Sequence, residues 1–193
     1  MVTLSSRIAL EDAVHTCLKS SPKGDCPNSP HGPIGEWDVS SVTTMNSVFT
    51  DTTFNGDISK WNVSSVTTMN AMFGGAASFN GNISKWDVSS VVDMRGMFWR
   101  ASLFDGDLSE WDVSNVVDMR GMFSLASSFN GDLSAWDISS VTSMGMMFRD
   151  VNLFNLALSK WDVLSVTDMR GMFGDAKSFA GVISKWEVSR VTR

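Results

Sequence analysis

Apolar residues in this chain follow two registers inside one recurring unit. In the stretch Ile58, Trp61, Val63 and Val66 the apolar positions include a short alternation, Trp61 and Val63, with Asn62 and Ser64 between and after them. That pattern predicts a strand of three or four residues whose polar members face outward. The next apolar positions, Val66, Met69, Met72 and Phe73, are spaced by three and four, which predicts a short helix. The residue before the first methionine is Thr44, Thr68, Asp93, Asp118, Ser143 or Asp168, always a type suited to capping a helix N-terminus. A corner such as Phe79-Asn80-Gly81 reads as the turn back to the next unit.

The unit repeats on tryptophan. Trp37 and Trp61 stand 24 residues apart, and Trp86, Trp111, Trp136, Trp161 and Trp186 follow at steps of 25. Periods of this length mark stacked repeat architectures, in which each unit buries its apolar face only against its neighbours. The expected fold class is therefore α/β: a solenoid with one short parallel strand and one short helix per coil. Residues 37–193 hold six copies and the start of a seventh. Residues 1–36 do not match the repeat and read as an N-terminal cap, with a helix starting at Ser5 or Ser6, ending at Ser20-Ser21-Pro22, and burying Leu4, Ile8, Val14, Cys17 and Leu18. The opposite end, near Trp186, has no such cover and is expected to meet a partner or further repeats.

Two features of the unit resemble a known family. Ile83-x-x-Trp86-x-Val88 is similar to the core of a leucine-rich repeat, and Trp-Asp-Val-Ser-x-Val-Thr-x-Met-x-x-Met-Phe resembles the BspA-like leucine-rich-repeat surface proteins. The resemblance implies a right-handed solenoid with a parallel sheet on one face, a cell-surface or secreted setting, and a role in adhesion or protein binding. It implies no catalytic residues. The usual asparagine of the leucine-rich repeat is a valine here, as at Val91. An alternative ladder is available from Asn55, Asn80, Asn130 and Asn155, with Asp105 and Ala180 as interruptions.

Composition narrows the partners. The chain has 193 residues, a net charge of −6 and a pI of about 4.8, which disfavours nucleic acid and anionic membranes as default partners. No apolar run is long enough to span a bilayer, and the first residues lack a secretory leader pattern. The two cysteines, Cys17 and Cys26, suit one small disulfide loop, which favours an oxidising compartment.

Candidate chemistry lies in two columns. The outward strand positions place Asp87, Asp112 and Asp137 one coil apart, with Ser89, Ser114 and Ser139 two residues further on. These six residues form the expected ligand-binding face, for a protein or a glycan. Stacked carboxylates repel by roughly 1 kcal/mol per pair in water, so lysines such as Lys85, a basic partner, or calcium at Asp87, Asp112 and Asp137 would offset them. A regular Asp/Ser face also leaves ice or mineral binding open, and a structural subunit or tether in a larger assembly is a further alternative. In the second column Arg95, Arg120 and Arg170 occur only where the capping residue is Asp93, Asp118 or Asp168, which suggests ion pairs between neighbouring coils. Asn62 and Asn82 fit the glycosylation pattern. The two histidines, His15 and His31, lie outside the repeats, and no nucleophile, phosphate-loop or zinc motif accompanies them, so no enzymatic activity is expected.

Overall fold

The computed structural model describes residues 3–156 and 158–192. Helix α1 (Arg7–Ser20) starts where Ser6 accepts a hydrogen bond from the Ala9 N–H at 3.2 Å. It buries Leu10, Ala13, Val14 and Cys17. Ile8, expected on that face, is instead 64% exposed. A disulfide joins Cys17 to Cys26, whose Cα atoms are 5.4 Å apart. Ahead of the helix, Thr3 bridges to Asp38 in parallel, so the N-terminal segment is bonded to the first coil.

The expected strand and helix of each coil do not form. Among the described residues the only regular elements are α1 and a single 3-10 turn at Ile34–Glu36. Each coil is a closed series of turns. The Trp61 N–H donates to the Ile58 carbonyl at 3.1 Å and the Val66 N–H to the Val63 carbonyl at 2.9 Å. The Trp-x-Val alternation is thus confined between two tight turns and is too short for a ladder. It still decides which residues face in, because Trp61 and Val63 are buried and Asn62 is exposed.

The helical spacing is overridden by bonds between coils. An α-helix sends each N–H to the carbonyl four residues back. Here the N–H groups of Met69, Ala71 and Phe73 donate to the carbonyls of Asp93, Arg95 and Met97 in the next coil, at 2.8 to 2.9 Å. The intervening Met72 and Gly74 N–H groups close local turns on Met69 and Ala71. A left-handed residue also stands in this segment of successive coils: Ala71 (φ 51), Gly96 (φ 57), Gly121 (φ 59), Met146 (φ 58) and Gly171 (φ 59). Such a residue ends any right-handed helix. The positions expected to cap helices are instead the isolated parallel bridges, from Thr44 with Thr68 through to Ser143 with Asp168.

Stacking fills the core with like on like. Trp61 and Trp86 lie parallel with centroids 6.5 Å apart, and Trp161 and Trp186 at 6.3 Å. A column of Phe73, Phe98, Phe123 and Phe148 steps by 5.6 to 5.7 Å, and each ring also lies against a second phenylalanine of its own coil, as Phe98 does on Phe104 at 3.9 Å. The methionines beside them, Met94, Met97, Met119 and Met122, are fully buried, which suits an unbranched thioether filling gaps between rings.

Candidate functional site

The acidic column expected to bind ligand is occupied by its own turns. Asp87 and Asp112 are exposed, with Ser89 and Ser114 half-buried beside them, and Asp137 and Ser139 are both exposed. One oxygen of Asp87 accepts from both the hydroxyl and the N–H of Ser89, at 2.6 and 3.1 Å, and Asp112 does the same with Ser114. Asp137 accepts from the Ser139 N–H at 3.0 Å. These bonds hold the Asp112 and Asp137 carboxyls below their ordinary value of 3.8 and lessen the repulsion along the column. Lys85 does not face that column; it pairs with Glu110 of the next coil. Among the described residues, no three carboxylate, histidine or cysteine side chains converge on one point. Asn62 and Asn82 are exposed, and each accepts from the serine two residues on.

The aspartate–arginine column forms its pairs within a coil rather than between coils. The Arg95 guanidinium donates to both oxygens of Asp93 at 2.7 to 3.0 Å, while its reach to Asp118 of the next coil is 3.8 Å. Arg120 with Asp118 and Arg170 with Asp168 repeat the fork. Residues two apart diverge on a helix, but in this turn the aspartate also accepts the N–H of its own arginine, at 3.0 Å in all three cases. The fork holds Asp168 at about 2, chiefly through the Arg170 side chain.

The repeat breaks where this column is interrupted. The fifth coil carries Ser143 and Gly145 in place of an aspartate and an arginine, and Met146 where Gly96, Gly121 and Gly171 stand in other coils. Two coils earlier Trp99 occupies a position held elsewhere by Gly74, Ser124, Arg149 and Gly174. These departures meet. Trp99, Ser124, Arg120, Gly145, Met146, Asp168 and Arg170 line a notch of about 340 Å³. Trp99 is 36% exposed, and the Arg100 guanidinium stacks 4.6 Å from its ring centroid. Met146 is 48% exposed in a left-handed conformation. The notch was not identified from sequence, although its signal was present in the columns: unlike residues replace repeated ones at positions separated by two coils.

This geometry gives a context for the relatives. The family described as Mycoplasma protein of unknown function, DUF285, matches residues 24–133 and again 104–193. The chain belongs to that family. Membership accounts for the regular repeat, and the description carries no activity. No curated protein and no solved structure matches the chain.

Proposed function

We propose that this DUF285 chain is a non-enzymatic binding module of a surface or secreted repeat protein, recognising a protein or glycan through the edge that carries the Asp–Arg forks and the notch. One observation carries the reading. Three residues that depart from the repeat, Trp99 of the third coil and Gly145 and Met146 of the fifth, gather around one concavity although two coils separate them in sequence. An exposed aromatic ring beside charged forks is the usual composition of a recognition hot spot. A methionine held at positive φ without being buried costs about 1 kcal/mol that packing does not return. The Asp/Ser column is the less suitable face, because its hydrogen bonds are committed to its own turns.

The extracellular setting rests on two supports: the disulfide between Cys17 and Cys26, and the resemblance of the unit to BspA-like surface repeats. The reading is tested by screening the chain against glycan and protein arrays beside Trp99→Ala and Asp87→Asn. The expected outcome is a ligand lost with Trp99→Ala and kept with Asp87→Asn. Binding that follows Asp87 and ignores Trp99 would return the site to the acidic column.

A further inference from the structure

The notch has a composition that selects among ligands, and this step rests on the binding reading above. Consider first its charge. Arg120 is forked to Asp118 and Arg170 to Asp168, so each cation in the wall already has its anion. A free phosphate, sulfate or carboxylate would gain no uncompensated positive charge from either lining arginine, and the nearby Arg100 guanidinium, outside the lining, is stacked on the Trp99 ring. Next comes hydrogen-bonding capacity. Each fork uses Nε and Nη2 of its arginine, which leaves the Nη1 group of Arg120 and Arg170 free to donate. Asp168 lies directly over Gly145: a Cβ on that glycine would be 3.3 Å from Oδ1. The glycine thus opens a gap between Arg120 below and the Asp168–Arg170 fork above. In the other forks the aspartate accepts the arginine N–H. In the fifth coil Ser143 is too short for that, its hydroxyl is buried without a partner, and the Gly145 N–H is left without a carboxylate.

The walls therefore offer donors and acceptors side by side, next to an indole and a thioether. A peptide backbone is poorly matched to this site. Adding a strand needs an edge of unpaired amides and carbonyls, but here the Gly121 N–H is spent on the Gly145 carbonyl at 2.8 Å and the Met146 N–H on the Arg170 carbonyl at 2.8 Å. An uncharged polyhydroxylated ring is well matched. Its adjacent hydroxyls each donate and accept, which fits a guanidinium beside a carboxylate, and its C–H face can lie on Trp99. The volume of about 340 Å³ is at the small end of the range for small-ligand sites, roughly 300 to 1,000 Å³, and suits a short saccharide segment.

We infer that the notch formed by Trp99, Arg120, Gly145, Met146, Asp168 and Arg170 is a binding site for a neutral saccharide. The fifth coil's departures from the repeat are what open it.

The test titrates neutral disaccharides of differing linkage, a sulfated disaccharide and inorganic sulfate into the full chain, followed by amide NMR shifts. The variants are Trp99→Ala and the double change Ser143→Asp with Gly145→Arg, which restores the residues of coils three, four and six and so keeps the fold. The expected result is a neutral disaccharide that shifts Gly121, Gly145 and Met146 and binds at least about tenfold more weakly to both variants. Binding of the sulfated sugar or sulfate alone would overturn the neutral-saccharide class and leave the module standing. No saccharide binding, together with an array protein whose binding is lost in both variants, would overturn the inference and keep the module. No ligand of any class sensitive to either variant would overturn both.

Discussion

The indole Nε1 of Trp111 donates to the carbonyl of Ile83, 28 residues earlier and one coil below, at 3.1 Å. The same bond recurs from Trp61 to Ile34, Trp86 to Ile58, Trp136 to Leu108, Trp161 to Leu133 and Trp186 to Leu158. Each tryptophan thus does two jobs. Its ring fills the column, and its single donor satisfies a backbone carbonyl at the turn below. Replacing Trp111 by Phe keeps a ring and removes one of the two hydrogen bonds that the Ile83 carbonyl accepts, the other coming from the Trp86 N–H, at a cost of about 1 kcal/mol. Trp111→Ala adds a cavity and should cost about 3 to 5 kcal/mol. Urea unfolding of both variants measures the difference. An unchanged stability in Trp111→Phe would show that the donor contributes nothing.

A second tie runs along the corner opposite. The Asn80 N–H donates to Asn55 Oδ1 at 2.7 Å, the Asp105 N–H to Asn80 Oδ1 at 2.9 Å, and the Asn130 N–H to Asp105 Oδ1 at 2.9 Å. Asp105 therefore continues the ladder that its charge seemed set to break, since a carboxylate accepts as an amide oxygen does. Asn80→Ala should cost about 1 kcal/mol, while Asp105→Asn should leave the melting temperature nearly unchanged. A large loss from Asp105→Asn would contradict the equivalence.

Acid should destabilise the stack. Asp168 is held at about 2 by Arg170, and Asp107, Asp112, Asp132 and Asp137 lie below the ordinary 3.8 through their serine hydrogen bonds. Groups whose folded pKa is depressed contribute stability that is complete above the unfolded pKa and is lost as pH falls through the folded one. The melting temperature should therefore fall between about pH 4 and pH 2. Asp168→Asn should flatten part of that slope. A melting temperature constant across this window would contradict the assignment.

Met146 pays for its position in backbone strain. At φ 58, with its side chain half exposed, it should be replaceable by the glycine of neighbouring coils with a gain of up to about 1 kcal/mol. The same change should weaken ligand binding at the notch. A destabilised Met146→Gly would show that the thioether is held by packing.

Calcium should leave the melting temperature unchanged. A ligand that binds only the folded chain raises it by mass action, and the carboxylates of Asp87, Asp112 and Asp137 are each bonded to their own serine or its amide. An upward shift with added calcium would reopen the acidic column as a metal site.

Much of this was legible in the chain. The tryptophan period, the inward columns, the capping helix from Ser6 and the nearness of Cys17 to Cys26 all follow from spacing and residue type. The internal structure of the coil did not. Val66, Met69, Met72 and Phe73 satisfy a helical period, yet the amides of Met69 and Phe73 bond to the next coil while those of Val66 and Met72 close local turns, and no local pattern reveals bonds between residues some 24 apart. The Asp93–Arg95 pair was visible as a correlation, but its geometry depended on a turn that a helical reading excludes. The notch escaped because attention to what repeats hides what departs.

Amide hydrogen exchange followed by NMR tests the coil-to-coil bonding most directly. The amides of Met94, Gly96 and Phe98 and the indole N–H of Trp111 donate across coils, and in a cooperative stack all four should exchange together at the rate of global unfolding. Exchange of the Met94, Gly96 and Phe98 amides and the Trp111 indole far faster than global unfolding would contradict a stack held together by bonds between its turns.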